Sequence, residues 1–79
     1  MNKYDDFIKC VVDSIDNGHY VDCVACDEGL NIALMKRSSG NTYTYFIVVF
    51  MIFRGFYPVR CFFNLDNALS AYNALTFVE

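Results

Sequence analysis

The sequence predicts an α+β domain in which a four-stranded antiparallel meander lies between an N-terminal and a C-terminal helix, in the order α-β-β-β-β-α. Three observations predict it. Apolar residues recur at helical spacing near both ends of the chain, runs rich in aromatic and β-branched residues fill the middle, and glycine-containing turn sequences separate these runs. With 79 residues, the chain is expected to form a single domain over residues 1–79.

The two predicted helices cover residues 3–17 and 66–77. Asn17-Gly18 ends the first helix because both residues tolerate positive φ, and Asn64 or Asp66 caps the second. The first helix carries the apolar stripe Tyr4, Phe7, Ile8, Val11 and Ile15. The second turns Leu69, Tyr72 and Leu75 or Thr76 inward.

The predicted strands are residues 20–26, 30–37, 42–53 and 56–63. The first pair is joined by the turn sequence DEG, in which Gly29 supplies the left-handed position. The sequence SSGN leads into the third strand. A two-residue turn at Arg54-Gly55 then folds the fourth strand back along the third.

The most apolar segment, TYFIVVFMIFRGFYPVRCFF, is predicted to fold as this hairpin and not to cross a membrane. A spanning helix needs about 20 largely uncharged residues, whereas Arg54, Pro58 and Arg60 interrupt this segment. The N-terminus has no apolar stretch typical of a secretory signal. We therefore expect a cytoplasmic protein that does not contact a membrane.

The charges argue against nucleic-acid binding. The net charge is -3 and the only adjacent basic residues are Lys36-Arg37, so the clustered cations that bind phosphate backbones are missing. The acids of the first helix predict a solvated face, with an acidic docking surface as the alternative. These acids are Asp5, Asp6, Asp13 and Asp16.

The sequence contains no recognisable catalytic constellation. His19 is the only histidine and follows Gly18 in a connection, and no glycine-rich loop opens a helix to hold phosphate. We therefore predict that the protein is not an enzyme, with no catalytic residue and no cofactor.

The four cysteines include one closely spaced pair, Cys23 and Cys26, in a CxxC sequence. With His19 and either Cys10 or Cys61, this pair could supply four zinc ligands, and a small metal-binding domain is the alternative function. In a regular strand, however, positions 23 and 26 point to opposite faces. We expect four free thiols and no metal-binding residue.

Pairing across Arg54-Gly55 sorts the predicted hairpin by face. One face, predicted to pack against both helices, carries Phe46, Val48, Phe50 and Ile52 with Tyr57, Val59, Cys61 and Phe63. The other face is predicted to point outward because it holds the proline and the charge. It carries Tyr45, Ile47, Val49, Met51 and Phe53 with Phe56, Pro58, Arg60 and Phe62.

This outward face is too apolar for a sheet surface in water, where polar residues should alternate. We predict that it binds another protein chain, either a different protein or a second copy in a homodimer or other homo-oligomeric regulator. The alternative is that a loop or the curling of the sheet covers it within one chain. The predicted partner-binding residues are Tyr43, Tyr45, Ile47, Val49, Met51, Phe53 and Arg60.

The C-terminal segment, VRCFFNLDNALSAYNAL, resembles the ending of many short phage-encoded accessory proteins. These include inhibitors of host defence systems, such as toxin neutralisers and anti-CRISPR proteins. The resemblance implies a small cytosolic α/β domain without catalytic residues, which acts by binding a host protein.

Overall fold

A computed structural model describes residues 3–51 and 53–77 and shows an α+β fold with one antiparallel sheet. The strands lie in the order β1-β2-β3-β4, which confirms the predicted class and element order. The elements are α1 (Lys3–Asp16), β1 (Asp22–Asp27), β2 (Ile32–Ser39), β3 (Thr42–Met51), β4 (Gly55–Phe62) and α2 (Leu65–Thr76). No helix within the described ranges is long and apolar enough to cross a membrane.

The first helix ends where the sequence predicts. The Asn17 N–H donates to the Asp13 carbonyl at 2.8 Å, and Gly18 follows with a φ of 84°, the left-handed conformation that ends many helices. Phe7 and Val11 are buried, as their stripe requires. The side chain of Tyr4 lies outside the described part of the chain, as does Ile52.

Asn64, one of the two predicted candidates, caps α2. Its extended backbone and its Oδ1, which accepts the Asn67 N–H at 3.1 Å, are typical of an N-cap. Tyr72 is buried and Leu69 is partly buried, as predicted. Of the two alternatives at the end of the stripe, Leu75 is exposed and Thr76 is partly buried, and Ala68 is a further buried residue of α2.

The turns differ in detail from the prediction. The β3–β4 turn is closed by the Arg54 N–H, which donates to the Met51 carbonyl at 2.9 Å. Gly55, with a φ of 73°, lies opposite Met51 and supplies the left-handed residue that follows such a turn. In the β1–β2 connection the left-handed residue is Asn31, with a φ of 58°, and not Gly29.

The prediction that both helices pack on one face is wrong, because α1 and α2 cover opposite faces of the sheet. Side chains of α1 pack on the face that carries Val48 and Phe50. Those of α2 pack on the face that carries Tyr45 and Ile47. The physical reason is that β3 is apolar on both faces, and two helices on one side would leave the other side in water.

Two β-bulges change which side chains share a face. In β1 the register shifts at Val24, and in β4 it shifts at Val59. Because a bulge inserts one extra residue, it reverses the alternation beyond it. The faces predicted for the start of β4 are wrong because the turn pairs Met51 with Gly55, which places Phe56 and Pro58 on the α1 face. The bulge at Val59 then restores the predicted faces at Arg60 and Phe62.

Candidate protein-binding surface

The centre of the predicted interface is buried within the chain. Tyr45 and Ile47 lie under α2 and pack in one cluster with Ala68 and Tyr72. The prediction that these two residues face outward is wrong. Of the proline and the charge used to assign this face, Pro58 lies on the other side, whereas Arg60 lies on this face opposite the buried Ile47.

The remaining predicted residues do not form one surface. Tyr43 is exposed beyond one side of α2, and Met51 lies beyond the other. The two residues are eight positions apart in the sequence, which corresponds to roughly 26 Å along β3. The Tyr43 ring instead packs under Lys36, whose Nζ lies 3.9 Å from the ring centroid. The exposed Arg60 places its guanidinium 4.9 Å from the Phe62 ring centroid.

An apolar surface remains at the β3–β4 end of the sheet, which we call the hairpin patch and define as Val49, Met51, Phe53 and Tyr57. Tyr57 lies directly opposite Val49, and Met51 lies two residues further along the same face. Met51 is 42% exposed, Tyr57 52% and the turn residue Phe53 96%, whereas Val49 is half-buried. Phe53 also lines a shallow cleft with Phe50 and Cys10, so it forms the border of the hairpin patch towards the α1 face. Tyr57 was not predicted to belong here because the predicted register across Arg54-Gly55 placed it on the opposite face.

The hairpin patch is open because α2 crosses the sheet instead of following β3. The α2 cluster includes one residue or more from each strand: Ala25, Leu34, Ile47 and Phe62. Leu34 is opposite both Ala25 and Ile47, so these contacts form a band across the strands. At 12 residues, α2 is about 18 Å long, and its whole length is needed to cross the strands.

The edge of β4 beside the hairpin patch is poorly suited to adding another strand. Residues 57–61 of this edge strand are exposed. Pro58 lacks an N–H to donate, and the bulge at Val59 disturbs the regular spacing of hydrogen-bonding groups. A partner is therefore expected to approach the face of the sheet and not its edge.

A groove beside α1 is one of several concave features of the described chain. Its lining includes Cys10, Ser14, His19 and Tyr20. Burial, together with Asp13, raises the pKa of the Cys10 thiol, and burial also raises the pKa of Tyr20. The Ser14 hydroxyl donates to the Val11 carbonyl at 2.8 Å. These shifts keep the thiol and the phenol protonated, which is the opposite of activating a nucleophile.

The CxxC pair has a different geometry from the one predicted. All four cysteines are free thiols, and Cys26 is exposed while Cys23 is half-buried. Cys23 lies opposite Met35 and Cys26 opposite Ala33, so the bulge at Val24 places both thiols on the α1 face. Among residues 3–51 and 53–77, no group of three or more His, Cys, Asp or Glu is arranged to hold a metal ion.

Comparison with known proteins provides no relative from which a role could be transferred. No protein-family model, curated protein or solved structure matches the chain. The hairpin patch is therefore interpreted from its own residues.

Proposed function

We propose that this protein is a non-enzymatic binding module whose hairpin patch is covered by a different protein. The observation that supports this most strongly is the exposure of Met51, Phe53 and Tyr57 next to half-buried Val49. Val49, Met51 and Tyr57 continue the apolar surface that α2 covers elsewhere on the same face of the sheet. Contiguous exposed apolar surface of this kind is typical of protein-binding sites.

The energetics require a partner larger than the hairpin patch. Full burial of one large apolar side chain contributes about 1.5–3 kcal/mol, and these side chains are already partly covered, so each would contribute less. Association costs an estimated 4–15 kcal/mol in lost translational and rotational freedom. We therefore expect the partner to contact the flanking residues as well and to use Tyr57 as a central aromatic anchor, with Phe53 at the border.

The charge around the hairpin patch favours a different protein over a second copy. Residues 42–63 contain Arg54 and Arg60 but no Asp or Glu, although the whole chain has a net charge of -3. Arg54 lines the α1 groove with Asp13, whereas Arg60 lies on the same face as the hairpin patch. In a symmetric dimer the same surface faces itself, which would bring Arg60 towards its own copy. A partner with an apolar centre and an acidic rim would complement both features.

The thiol and the phenol in the α1 groove are not activated as nucleophiles, which also supports a binding role over a catalytic one. The two titratable hydroxyl and thiol groups there, Tyr20 and Cys10, both have raised pKa values. The C-terminal resemblance to phage accessory proteins would make the partner a host protein, and a host defence protein is the specific candidate. This proposal of partner identity rests on that resemblance alone.

The experiment is capture of the partner by tagged protein, with identification by mass spectrometry and measurement of Kd on the purified pair. The Met51→Ser/Tyr57→Ser double variant should weaken binding by more than about tenfold, since a tenfold change in Kd corresponds to only about 1.4 kcal/mol. Val12→Ser is the matched control, because Val12 is similarly exposed but lies on α1. Added salt should slow association if an acidic rim meets Arg60.

Two outcomes would contradict the proposal. One is a partner whose affinity is unchanged in the double variant and reduced in the control. The other is a dimer in sedimentation velocity that the double variant converts to a folded monomer, which would favour the homo-oligomeric alternative.

A further inference from the structure

A second site lies at the other edge of the sheet, where Cys23 and Cys26 share the α1 face with Met35. The bulge at Val24 brings them together, because the three steps from Cys23 to Cys26 span only the two steps from Met35 to Ala33 in β2. In an unbulged strand the two thiols would lie on opposite faces.

The register sets the spacing of the two thiols. Residues two apart in a strand are separated by roughly 6.6 Å, so the Cα atoms of Cys23 and Cys26 should lie about that far apart. That spacing is at the upper end of the range for a disulfide, about 4.4–6.8 Å. A metal ion bridging two thiolates needs less approach, because two metal–sulfur bonds of about 2.3 Å hold the sulfurs up to roughly 4.6 Å apart.

Met35 adds a third sulfur atom. It is directly opposite Cys23 in the antiparallel register, and the Cβ atoms of such pairs are about 4.5–5.5 Å apart. The Met35 side chain is fully buried, but an unbranched thioether has three rotatable bonds with which to reorient. The site is thus closed by Met35 on the inside and open to solvent at Cys26.

We infer that Cys23 and Cys26 bind one Cu(I) ion as thiolates, with the Met35 thioether as a weaker third ligand. Soft sulfur ligands select soft ions such as Cu(I), whereas Mg²⁺ and Ca²⁺ prefer oxygen. Structural zinc sites use four ligands, and the described residues offer no His, Asp or Glu that joins this pair. Cu(I) is satisfied by two or three sulfur atoms.

Binding releases two protons, one from each thiol, and leaves a complex of net charge −1 at the edge strand. Burial raises the pKa of Cys23 to about 11, and nearby Cys26 adds to the rise. The Cys23 proton is therefore held firmly in the free protein. The apparent affinity for Cu(I) should increase as the pH rises, because metal and protons compete for the sulfurs.

The test is anaerobic titration of the reduced full chain with Cu(I), in competition with a chromophoric Cu(I) chelator. One ion should bind per chain. Cys26→Ser should lower the affinity by more than about 100-fold, since loss of even an outer-shell partner costs about 10–100-fold. Met35→Leu should lower it by about tenfold with unchanged stoichiometry, and the Cys10→Ser/Cys61→Ser double variant should bind like the parent.

X-ray absorption at the copper edge of the parent protein tests the ligands without any variant. A shell of two or three sulfur atoms is expected. Nitrogen or oxygen ligands, a Cys26→Ser variant that binds as tightly as the parent, or loss of binding in the Cys10→Ser/Cys61→Ser variant would overturn the inference. Tighter binding of Zn²⁺ than of Cu(I) at the same cysteines would overturn the choice of metal. Since this site uses β1 and β2, its result is independent of the hairpin patch.

Discussion

The β3–β4 end of the sheet is closed on one face and open on the other. On the α1 face, the Phe7 ring makes edge-to-face contacts with Phe50 and Phe56, at centroid distances of 6.1 Å to each. On the α2 face, the neighbouring residues Met51 and Tyr57 have no comparable cover and are about half exposed. The two faces are equally apolar in sequence, so the difference comes from the path of each helix.

The paths differ because the helices enter the sheet at different places. The contacts of α1 reach β1 through Cys23 and the hairpin end through Phe50 and Phe56. In contrast, only Phe63 and Asn64 separate the end of β4 from the start of α2, which therefore begins at the end of the sheet far from the hairpin and crosses from there to β1. An apolar strand face therefore indicates that another surface packs on it. Whether that surface comes from the same chain depends on where the connecting loop places the helix.

The largest expected effect is the loss of folding in variants at the middle of β3, where α1 and α2 should cover the two faces of the sheet. Ile47→Asp and Val48→Asp should each abolish cooperative unfolding, because each places an unpaired carboxylate in a fully buried position. Circular dichroism and urea titration provide the measurement. Val59→Asp, at an exposed bulge residue, should remain folded. A folded Ile47→Asp variant would show that α2 does not close its face.

Most elements of the fold could be predicted from the sequence, because helical spacing and turn residues are local signals. The stop at Gly18 and the alternation of β3 are examples, and both are confirmed. The face covered by each helix was not predictable in the same way. Once β3 is apolar on both sides, periodicity no longer distinguishes a face covered by α1 from one covered by α2.

The bulges and the β3–β4 turn explain the remaining differences. A bulge at Val24 or Val59 has no signature in the sequence, yet each changes which residues share a face. The turn that pairs Met51 with Gly55, instead of Phe53 with Phe56, was equally hidden, so Tyr57 was predicted on the wrong face and left out of the candidate site. The bulge at Val24 concealed the shared face of Cys23 and Cys26. The three residues of the hairpin patch that were predicted, Val49, Met51 and Phe53, belong to β3 and the turn that follows it, and β3 itself contains no extra residue that would reverse the alternation.

A pair of neighbouring truncations should show the contrast between the faces directly. Phe50→Ala should lower the free energy of unfolding by about 3–5 kcal/mol, because it leaves a cavity against Phe7. Met51→Ala should cost less than about 1 kcal/mol, since that residue is already about half exposed. Urea denaturation of the isolated monomer measures both. Equal losses would mean that Met51 is also packed and that the hairpin patch is not open.

A smaller effect is expected at Gly55, which lies at the turn between β3 and β4. Its φ of 73° is unfavourable for a residue with a Cβ, and an added Cβ would meet only Cys10 Sγ, at an ordinary 3.8 Å. Gly55→Ala should therefore destabilise by about 1–2 kcal/mol through the backbone alone. Gly55→Asn should cost less because asparagine tolerates this conformation. If the two variants lose the same stability, side-chain crowding and not φ sets the cost.

The smallest predicted effect is a gain in stability at Asn31, which lies beside the hairpin end of β3. Its carbonyl accepts the Phe50 N–H at 2.8 Å, so the backbone here must keep its φ of 58°. Its side-chain Oδ1 is buried without a hydrogen-bond partner among the described residues. An unsatisfied buried polar group costs about 1–3 kcal/mol, and glycine adopts this φ without strain but adds disorder to the unfolded chain.

Asn31→Gly should therefore raise the free energy of unfolding by about 1 kcal/mol, measured by urea denaturation. Asn31→Ala is the control, because it also removes the buried oxygen but leaves a Cβ in the left-handed conformation. Its stability should fall below that of the glycine variant by about 1–2 kcal/mol. A loss of stability in Asn31→Gly would show that Oδ1 contributes a favourable interaction. The Asn31 amide would then stabilise the end of the sheet where the hairpin patch is exposed, in addition to the strand pairing. The difference in packing between the two faces would be smaller than the exposed side chains indicate.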